Sequence, residues 1–280
     1  MTVFMPAPAL PASPSTDGEE RSALIDSLRI GIDVGGTSIK YAVVDTATGA
    51  VMGQIAQMPT PQPATPDAVA QALRLAVEEL RRQWPSTHAA VGVAFPSVIR
   101  DGVACSASNI SPEWIGVNAN DFLSAQLGCE VKLVNDADAA AVAEVAHRAG
   151  LGTGLGGSVV LVLTLGTGIG SALVVDGRLV PNFELGHLFL GGRKAEAGAS
   201  AVARERDGLS WAQYAVRLQE YLSHVEFLFS PDVIILGGGI SVRHGEYLPL
   251  INVRATIFPA MLANAAGVVG AAQVVGAAQA

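Results

Sequence analysis

Cysteine is scarce in this 280-residue chain: there are two, Cys105 and Cys129, isolated from each other and in no CxxC pair. That spacing supports neither a disulfide framework nor a thiolate zinc site, and reads as two small buried hydrophobes. Long apolar runs are absent as well. Half of the residues are hydrophobic, yet no run reaches the ~20 residues that span a bilayer, so no membrane segment is expected. The first residues lack the basic start and apolar block of a secretory signal, which places the protein in the cytoplasm. Positive charge is also in short supply. A formal net charge of −8 argues against general nucleic-acid binding, and any polyanionic partner must be held by a local basic patch.

What is present is ordered by glycine. Residues 1–27 are rich in Pro, Ala and Ser with a short acidic run at Asp17 to Glu20, a composition that buries too little apolar surface to offset its ordering entropy. A flexible tail is expected there. From Leu28 the pattern predicts strands at 29–34, 39–46 and 50–57, then a helix over 66–84 with Val69, Leu73, Val77 and Leu80 at helical spacing, then a strand at 89–95. A comparable order follows: strands at 158–165 and 170–175, a short third strand after Asp176-Gly177, a helix at 210–229 and a strand at 233–236. Two such halves imply a duplicated α/β architecture with two lobes, 28–136 and 137–280, around a cleft. An apolar terminal stretch from Ala265 is expected to be helical and to pack back on the first lobe.

Three glycine turns mark candidate phosphate contacts. Asp33-Val34-Gly35-Gly36-Thr37-Ser38-Ile39-Lys40 joins two strands through a turn whose backbone N–H groups can approach phosphate oxygens. Thr37 adds a hydroxyl, Lys40 a cation, and Asp33 a carboxylate able to hold a metal or a metal-bound water. Thr164-Leu165-Gly166-Thr167-Gly168 repeats that design in the second half. Gly237-Gly238-Gly239 follows an apolar strand and precedes an expected helix, which places backbone donors at a helix start. Asn135-Asp136 stands where a strand meets an Ala-rich helix. It serves as a helix cap, or Asp136 accepts a proton from a substrate hydroxyl at a strand C-terminal end. Glu184-Leu185-Gly186-His187 offers acceptors for a polyol, or two ligands of a metal site that lacks an evident third. Asn109 lies on a loop after a hairpin at 98–105.

Together these segments resemble the ROK family of sugar kinases, within the two-lobed actin-like ATPase (ribonuclease H-like) fold, from about residue 29 to 280. The run Arg204-Glu205-Arg206-Asp207-Gly208-Leu209-Ser210-Trp211 is similar to the polyphosphate-using glucokinases within it. The resemblance implies that Asp136 is the general base for the 6-hydroxyl of glucose. It gives Asn109, Asn135, Glu184 and His187 the other sugar hydroxyls, with Glu196 as a further sugar-binding glutamate. Gly35, Gly36, Thr37, Thr167 and Gly168 line the phosphate path, and Gly238 and Gly239 lie near a nucleoside. Mg²⁺, a phosphoryl donor (ATP, inorganic polyphosphate or both), a cytoplasmic homodimer and lobe closure around the sugar are further implications.

Two departures from the family pattern stand out. Many members carry a zinc-binding cysteine motif after the ExGH histidine; Leu188-Phe189-Leu190-Gly191-Gly192-Arg193-Lys194 has none, so no zinc is expected. An acidic residue of the polyphosphate enzymes is replaced there by Phe189 and Leu190, which leaves the choice between glucose and mannose open. Arg193, Lys194, Arg204 and Arg206 are the expected polyphosphate patch. Alternatives are a kinase for mannose, fructose or N-acetylmannosamine, a polyphosphate hydrolase, and a sugar-responsive ROK repressor. The last needs a DNA-binding segment of some 60–80 residues, where this chain has a Pro-rich stretch of about 27.

Overall fold

The computed structural model describes residues 25–85, 87, 90–152, 155 and 157–277. The expected tail up to residue 24, and residues 278–280 of the expected terminal helix, lie outside the described residues. Order begins before Leu28, where composition placed tail. Residues 25–27 are helical, and Ser27 Oγ donates to Asp45 Oδ1 at 2.6 Å while Thr46 N–H donates to Ser27 O at 3.0 Å. The chain divides into two compact units: the described residues up to Val134 together with those from Ala271 on, and Asn135–Gly270.

In the first unit, β1 (Leu28–Val34), β2 (Ser38–Asp45) and β3 (Ala50–Pro59) form an antiparallel meander. Helix α1 (Pro66–Gln83) follows, capped by Thr65 and burying Val69, Leu73, Val77 and Leu80, the positions whose spacing predicts it. Strand β4 (Val91–Phe95) runs parallel to β1. Both are buried almost throughout, and β4 is a continuous apolar run, as a strand covered on both faces requires. A separate β5 (Ile99–Arg100) and β6 (Val103–Ala104) hairpin and α2 (Ala119–Leu127) follow, and β7 (Val131–Asn135) completes a sheet of order β3-β2-β1-β4-β7. Trp114, on a stretch without sequence periodicity, is fully buried against Phe95 and Phe122, and its Nε1–H donates to Ala64 O at 3.0 Å.

The second unit opens with α3 (Asp136–Gly150) and the meander β8 (Val159–Leu165), β9 (Ile169–Val175) and β10 (Arg178–Val180). A small hairpin, β11 (Phe189–Leu190) and β12 (Arg193–Lys194), leads to α4 (Glu196–Ala199), α5 (Ala201–Arg206) and α6 (Trp211–Phe229). Strand β13 (Val233–Gly237) is parallel to β8, and β14 (Thr256–Pro259) is parallel to β13. The order β10-β9-β8-β13-β14 repeats that of the first sheet: a meander laid outward from its first strand, then two later strands on the other side. The sequence pattern misses β14, which is four residues long and ends in proline. An edge position tolerates the missing N–H.

After Gly238 the expected α-helix is a 3₁₀ element, Gly239–Glu246, with a kink at Arg243. Helix α3 is fastened at its far end. Glu144, buried, accepts the N–H groups of Met261 and Leu262 at 2.9 and 2.7 Å, and Arg148 donates to Pro259 O and lies over the Phe258 ring. No helix of the described residues is long and apolar enough to cross a membrane.

The last helix, α7 (Ala266–Ala277), starts in the second unit with Gly270 against α3, so close that a Cβ there would overlap the Ala139 carbonyl. Overpacking of this kind costs typically about 1–3 kcal/mol, and backbone is the least able to yield. Gly270→Ala should lower the thermal midpoint by several degrees in a melting experiment. An unchanged midpoint would show that the two helices can separate freely.

Candidate active site

In the first unit, the register Asp33↔Lys40 and Val34↔Ile39 closes the turn at Gly35-Gly36-Thr37. Gly35 N–H donates to Ser38 O at 3.0 Å. Thr60 holds the turn from one side, donating Oγ1 to Gly35 O at 2.6 Å and N–H to Thr37 O at 3.1 Å, and Gln62 Nε2 donates to Gly36 O at 3.0 Å. Carbonyls are thus used inward. Among the described residues, the N–H groups of Gly36 and Thr37 find no acceptor, which suits an incoming anion. Lys40 Nζ lies 3.9 Å from Asp33 Oδ2. Burial pushes the Asp33 carboxyl above the ordinary carboxylate value, and Lys40 pulls it partly back. Asn109 meets this turn directly: a Cβ on Gly36 would come within 3.0 Å of Asn109 Cβ. Its left-handed backbone, φ 64°, is a conformation asparagine tolerates better than most residues.

In the second unit, α3 starts at Asp136, directly after the last residue of β7. Asn135 Oδ1 accepts the N–H groups of Ala137 at 2.9 Å and Asp138 at 3.2 Å, so this side chain is a helix cap. Asp136 is exposed, with Oδ1 accepting Ala137 N–H at 2.8 Å. The same first turn lies on the second glycine loop, because a Cβ on Gly170 would come within 3.0 Å of Ala137 Cβ. That loop is closed by Gly166 N–H donating to Gly168 O at 3.0 Å, and Val202 N–H donates to Gly166 O at 3.2 Å. Gly238 adjoins it. Its φ is 83°, and a Cβ there would overlap the Leu165 backbone, so both conformation and space demand glycine.

The Glu184-to-His187 segment reaches the same place. Leu185–His187 is a 3₁₀ turn, and Gly186 sits so tightly on Ile169 that a Cβ would overlap the Ile169 carbonyl. His187 Nε2 lies 3.5 Å from Glu196 Oε1, and Lys194 Nζ 3.8 Å from the same oxygen. A Cβ on Gly168 would meet Glu196 Oε2 at 2.6 Å, which puts Glu196 against the glycine loop. Desolvation pushes the Glu184 carboxyl above its ordinary value; Glu196 adds to the rise, and His187 and Lys194 oppose it. Asp136, Glu184, His187, Glu196, Thr167, Gly168 and Gly238 are therefore parts of one unit, clustered around the ends of β8 and β9. Such a set can hold several hydroxyls, take up a proton and face a phosphate.

The sequence profile of the ROK family matches residues 29–200. The chain belongs to the ROK family. A polyphosphate glucokinase of Mycobacterium tuberculosis is 43% identical over 243 residues, 86% of this chain and 89% of that protein. Among solved structures, an inorganic polyphosphate/ATP-glucomannokinase from Arthrobacter sp. strain KM superposes with a TM-score of 0.83 at 53% identity, covering 91% of this chain and all of that one. A ROK family glucokinase from Streptomyces griseus, in complex with glucose and AMPPNP, gives a TM-score of 0.74 at 25% identity over 88% of this chain and 98% of its own. The two sheets of like order are those of the actin-like ATPase fold.

The basic residues that sequence groups as one patch have different partners in this ROK chain. Arg206 pairs with Asp207 at 2.7 Å, Asp207 pairs with Arg217 at 2.5 Å, and the two arginines hold the Asp207 carboxyl well below the usual range. Arg204 stacks on Trp211, its guanidinium 3.7 Å from the ring centroid, and Trp211 stacks in turn on Tyr247. Ser210 and Gln213 form a capping box at the start of α6. The Arg204-to-Trp211 run is thus occupied in joining α5 to α6. Arg193 and Lys194 line a cavity of about 320 Å³ with Arg217, Glu220 and Tyr221, and Arg217 is the partner of Asp207 in that run.

Sequence reasoning missed Thr60, Gln62 and Ser171. Thr60 and Gln62 act from beyond a neighbouring strand, and nothing in their local pattern marks them. Ser171, buried in β9, donates Oγ to Phe183 O at 2.7 Å and accepts Leu185 N–H at 2.8 Å, fixing the segment on either side of Glu184. Ser171→Ala leaves two buried backbone groups unpaired, a loss of about 1–3 kcal/mol. We expect a lower melting temperature and a glucose KM raised several-fold, with kcat less affected. If neither stability nor KM moves, Ser171 does not set the Glu184 segment.

Proposed function

We propose that this ROK protein transfers a phosphoryl group from inorganic polyphosphate or ATP to the 6-hydroxyl of glucose. The observation that carries the reading is the cluster in the second unit: an exposed carboxylate at a capped helix start, the Glu184, His187 and Glu196 set, and a glycine loop beside it. The likeness to a polyphosphate glucokinase and to a polyphosphate/ATP-glucomannokinase supports the same substrates. The latter also favours mannose as a second acceptor. A cytoplasmic homodimer is part of the reading by family resemblance.

Phosphoryl transfer leaves little covalent work to the protein; positioning and charge stabilisation dominate. Glu184, His187 and Glu196 hold the sugar. Asp136 takes the 6-hydroxyl proton as that oxygen bonds to the terminal phosphorus. The bond from this phosphorus to its bridging oxygen breaks, and ADP, or a polyphosphate one unit shorter, leaves with the electron pair. Backbone donors at Thr167-Gly168 neutralise charge on the transferring group, and Gly238 and Gly239 face the nucleoside when ATP is the donor; in the first unit, Gly36 and Thr37 offer the same kind of donor to phosphate. Arg193, Lys194, Arg204 and Arg206 are the polyphosphate contacts of this reading; Arg193 and Lys194 line one cavity, Arg206 is paired with Asp207 and Arg204 is stacked on Trp211.

Among the described residues, no three His, Cys, Asp or Glu side chains gather closely enough to cage a metal ion. Mg²⁺ typically keeps several waters and takes one or two carboxylates plus substrate phosphates, so this chain fits an ion that arrives with the donor. Asp33, beside the first glycine turn, is the carboxylate that would hold it through water. When bound, the ion lowers the charge on the phosphates.

Initial rates with glucose and with mannose, each with ATP and with polyphosphate, test the reading. Glucose should be phosphorylated with polyphosphate in the absence of nucleotide. Asp136→Asn should reduce kcat by roughly 10²–10⁴-fold while glucose binding, followed by calorimetry, persists. Phosphate release independent of any sugar would point to a hydrolase, and turnover of the variant within about tenfold of the parent would remove Asp136 as the base.

A further inference from the structure

Asp138 lies two residues beyond the assigned base and is 1% exposed. Its Oδ2 accepts the N–H of Asn182 at 2.8 Å. Its Oδ1 is buried and has no hydrogen-bond partner among the described residues. Asn182 has a left-handed backbone, φ 63°, and stands two residues before Glu184. One side chain in the first turn of α3 therefore fixes the start of the segment that carries Glu184 and His187.

A carboxylate with one oxygen unpaired, buried beside other carboxylates, is strongly disfavoured in its charged form. Each element packed on α3 can be checked for a compensating cation. The α3 turn itself offers Asp136, and the segment after β10 offers Glu184, both of the wrong sign. Strands β8 and β9 carry no titratable side chain, nor does α7. Strand β10 contributes Arg178, which is exposed and not among the groups acting on Asp138.

We propose that Asp138 is a positioning residue that ties the base-bearing turn of α3 to the Glu184 segment, and that it does so as an uncharged carboxylic acid. Oδ2 stays the acceptor for Asn182 N–H, and Oδ1 carries the proton. Loss of that proton places a third negative charge beside Asp136 and Glu184 and loosens the sugar site. The proposal rests on the sugar-kinase reading for its effect on turnover, but not for its effect on stability.

The titration has a defined direction. Burial, with Asp136 and Glu184 adding and the Asn182 hydrogen bond opposing, pushes the Asp138 carboxyl from 3.8 up to about 7. Between these values the folded chain keeps a proton that the unfolded chain releases. The stabilising contribution of the neutral acid is therefore complete below pH 3.8 and is lost as pH rises through about 7.

Asp138→Asn preserves an acceptor for Asn182 and cannot ionise; Asp138→Ala removes the acceptor. Melting temperatures of the full chain from pH 5 to 8 should show the Asn variant gaining on the parent as pH rises. In glucose phosphorylation, the parent's kcat/KM should fall several-fold as pH rises through about 7, with that limb absent from the Asn variant. The Ala variant should raise the glucose KM at least about fivefold, with Asn restoring it, as expected for loss of a positioning hydrogen bond of roughly 1 kcal/mol. Parallel pH dependences of melting for parent and Asn variant would overturn the uncharged acid. Equal glucose KM values for Ala and Asn would overturn the positioning role. A parent inactive on every sugar and donor would instead defeat the kinase reading and leave the melting comparison to decide the charge state.

Discussion

Asn135 Oδ1 accepts two backbone N–H groups of the first turn of α3, and this cap converts a buried strand end into a helix start within one residue. Caps of this kind are worth about 1 kcal/mol, but here the geometric consequence matters more. Once the turn is fixed, Asp136 points away from the fold and is exposed, while Asp138 points inward and is buried. One carboxyl is left in a place suited to take a proton from a substrate. The other is committed to holding the next loop. If the cap slipped by one residue, both roles would fail together.

The remaining groups are brought to that turn by backbone contacts too close for side chains. Gly186 lets the Glu184 segment sit on Ile169, and Gly238 lets the third glycine run sit on Leu165. Both contacts fall at the ends of β8 and β9, where Gly168 faces Glu196. Ser171 and Asp138 then satisfy the backbone groups that the tight approach would leave unpaired. In the first unit Thr60 and Gln62 do the equivalent for Gly35 and Gly36. The site is thus specified by where backbone can touch backbone, with the chemical side chains placed on the rims of those contacts.

The order of strands and the long helices were legible in the sequence because each is set by a local period. Strands β4, β8 and β13 are largely apolar runs, β1 alternates apolar residues with Arg29, Gly31 and Asp33, and α1 carries its apolar residues at helical spacing. Glu196 was reachable only through family resemblance, since nothing in Ala195-Glu196-Ala197 marks a site, yet it lies 3.5 Å from His187. The grouping of Arg193, Lys194, Arg204 and Arg206 came from counting charge, which takes no account of partners. Asp207 and Trp211, inside the same run or next to it, take up two of the four. Ser171 and Asp138 were invisible for a different reason. A small polar residue in an apolar strand and an acid in an Ala-rich helix look alike whether they face solvent or a buried amide.

The central claim is that the capped turn presents Asp136 to the hydroxyl that is phosphorylated. A crystal structure of the protein with glucose tests it most directly. The account predicts the sugar against Glu184, His187 and Glu196, with its 6-hydroxyl within about 2.6–3.2 Å of an Asp136 carboxylate oxygen, the reach of a general base. Glucose bound elsewhere, or bound there with another hydroxyl facing Asp136, would contradict it.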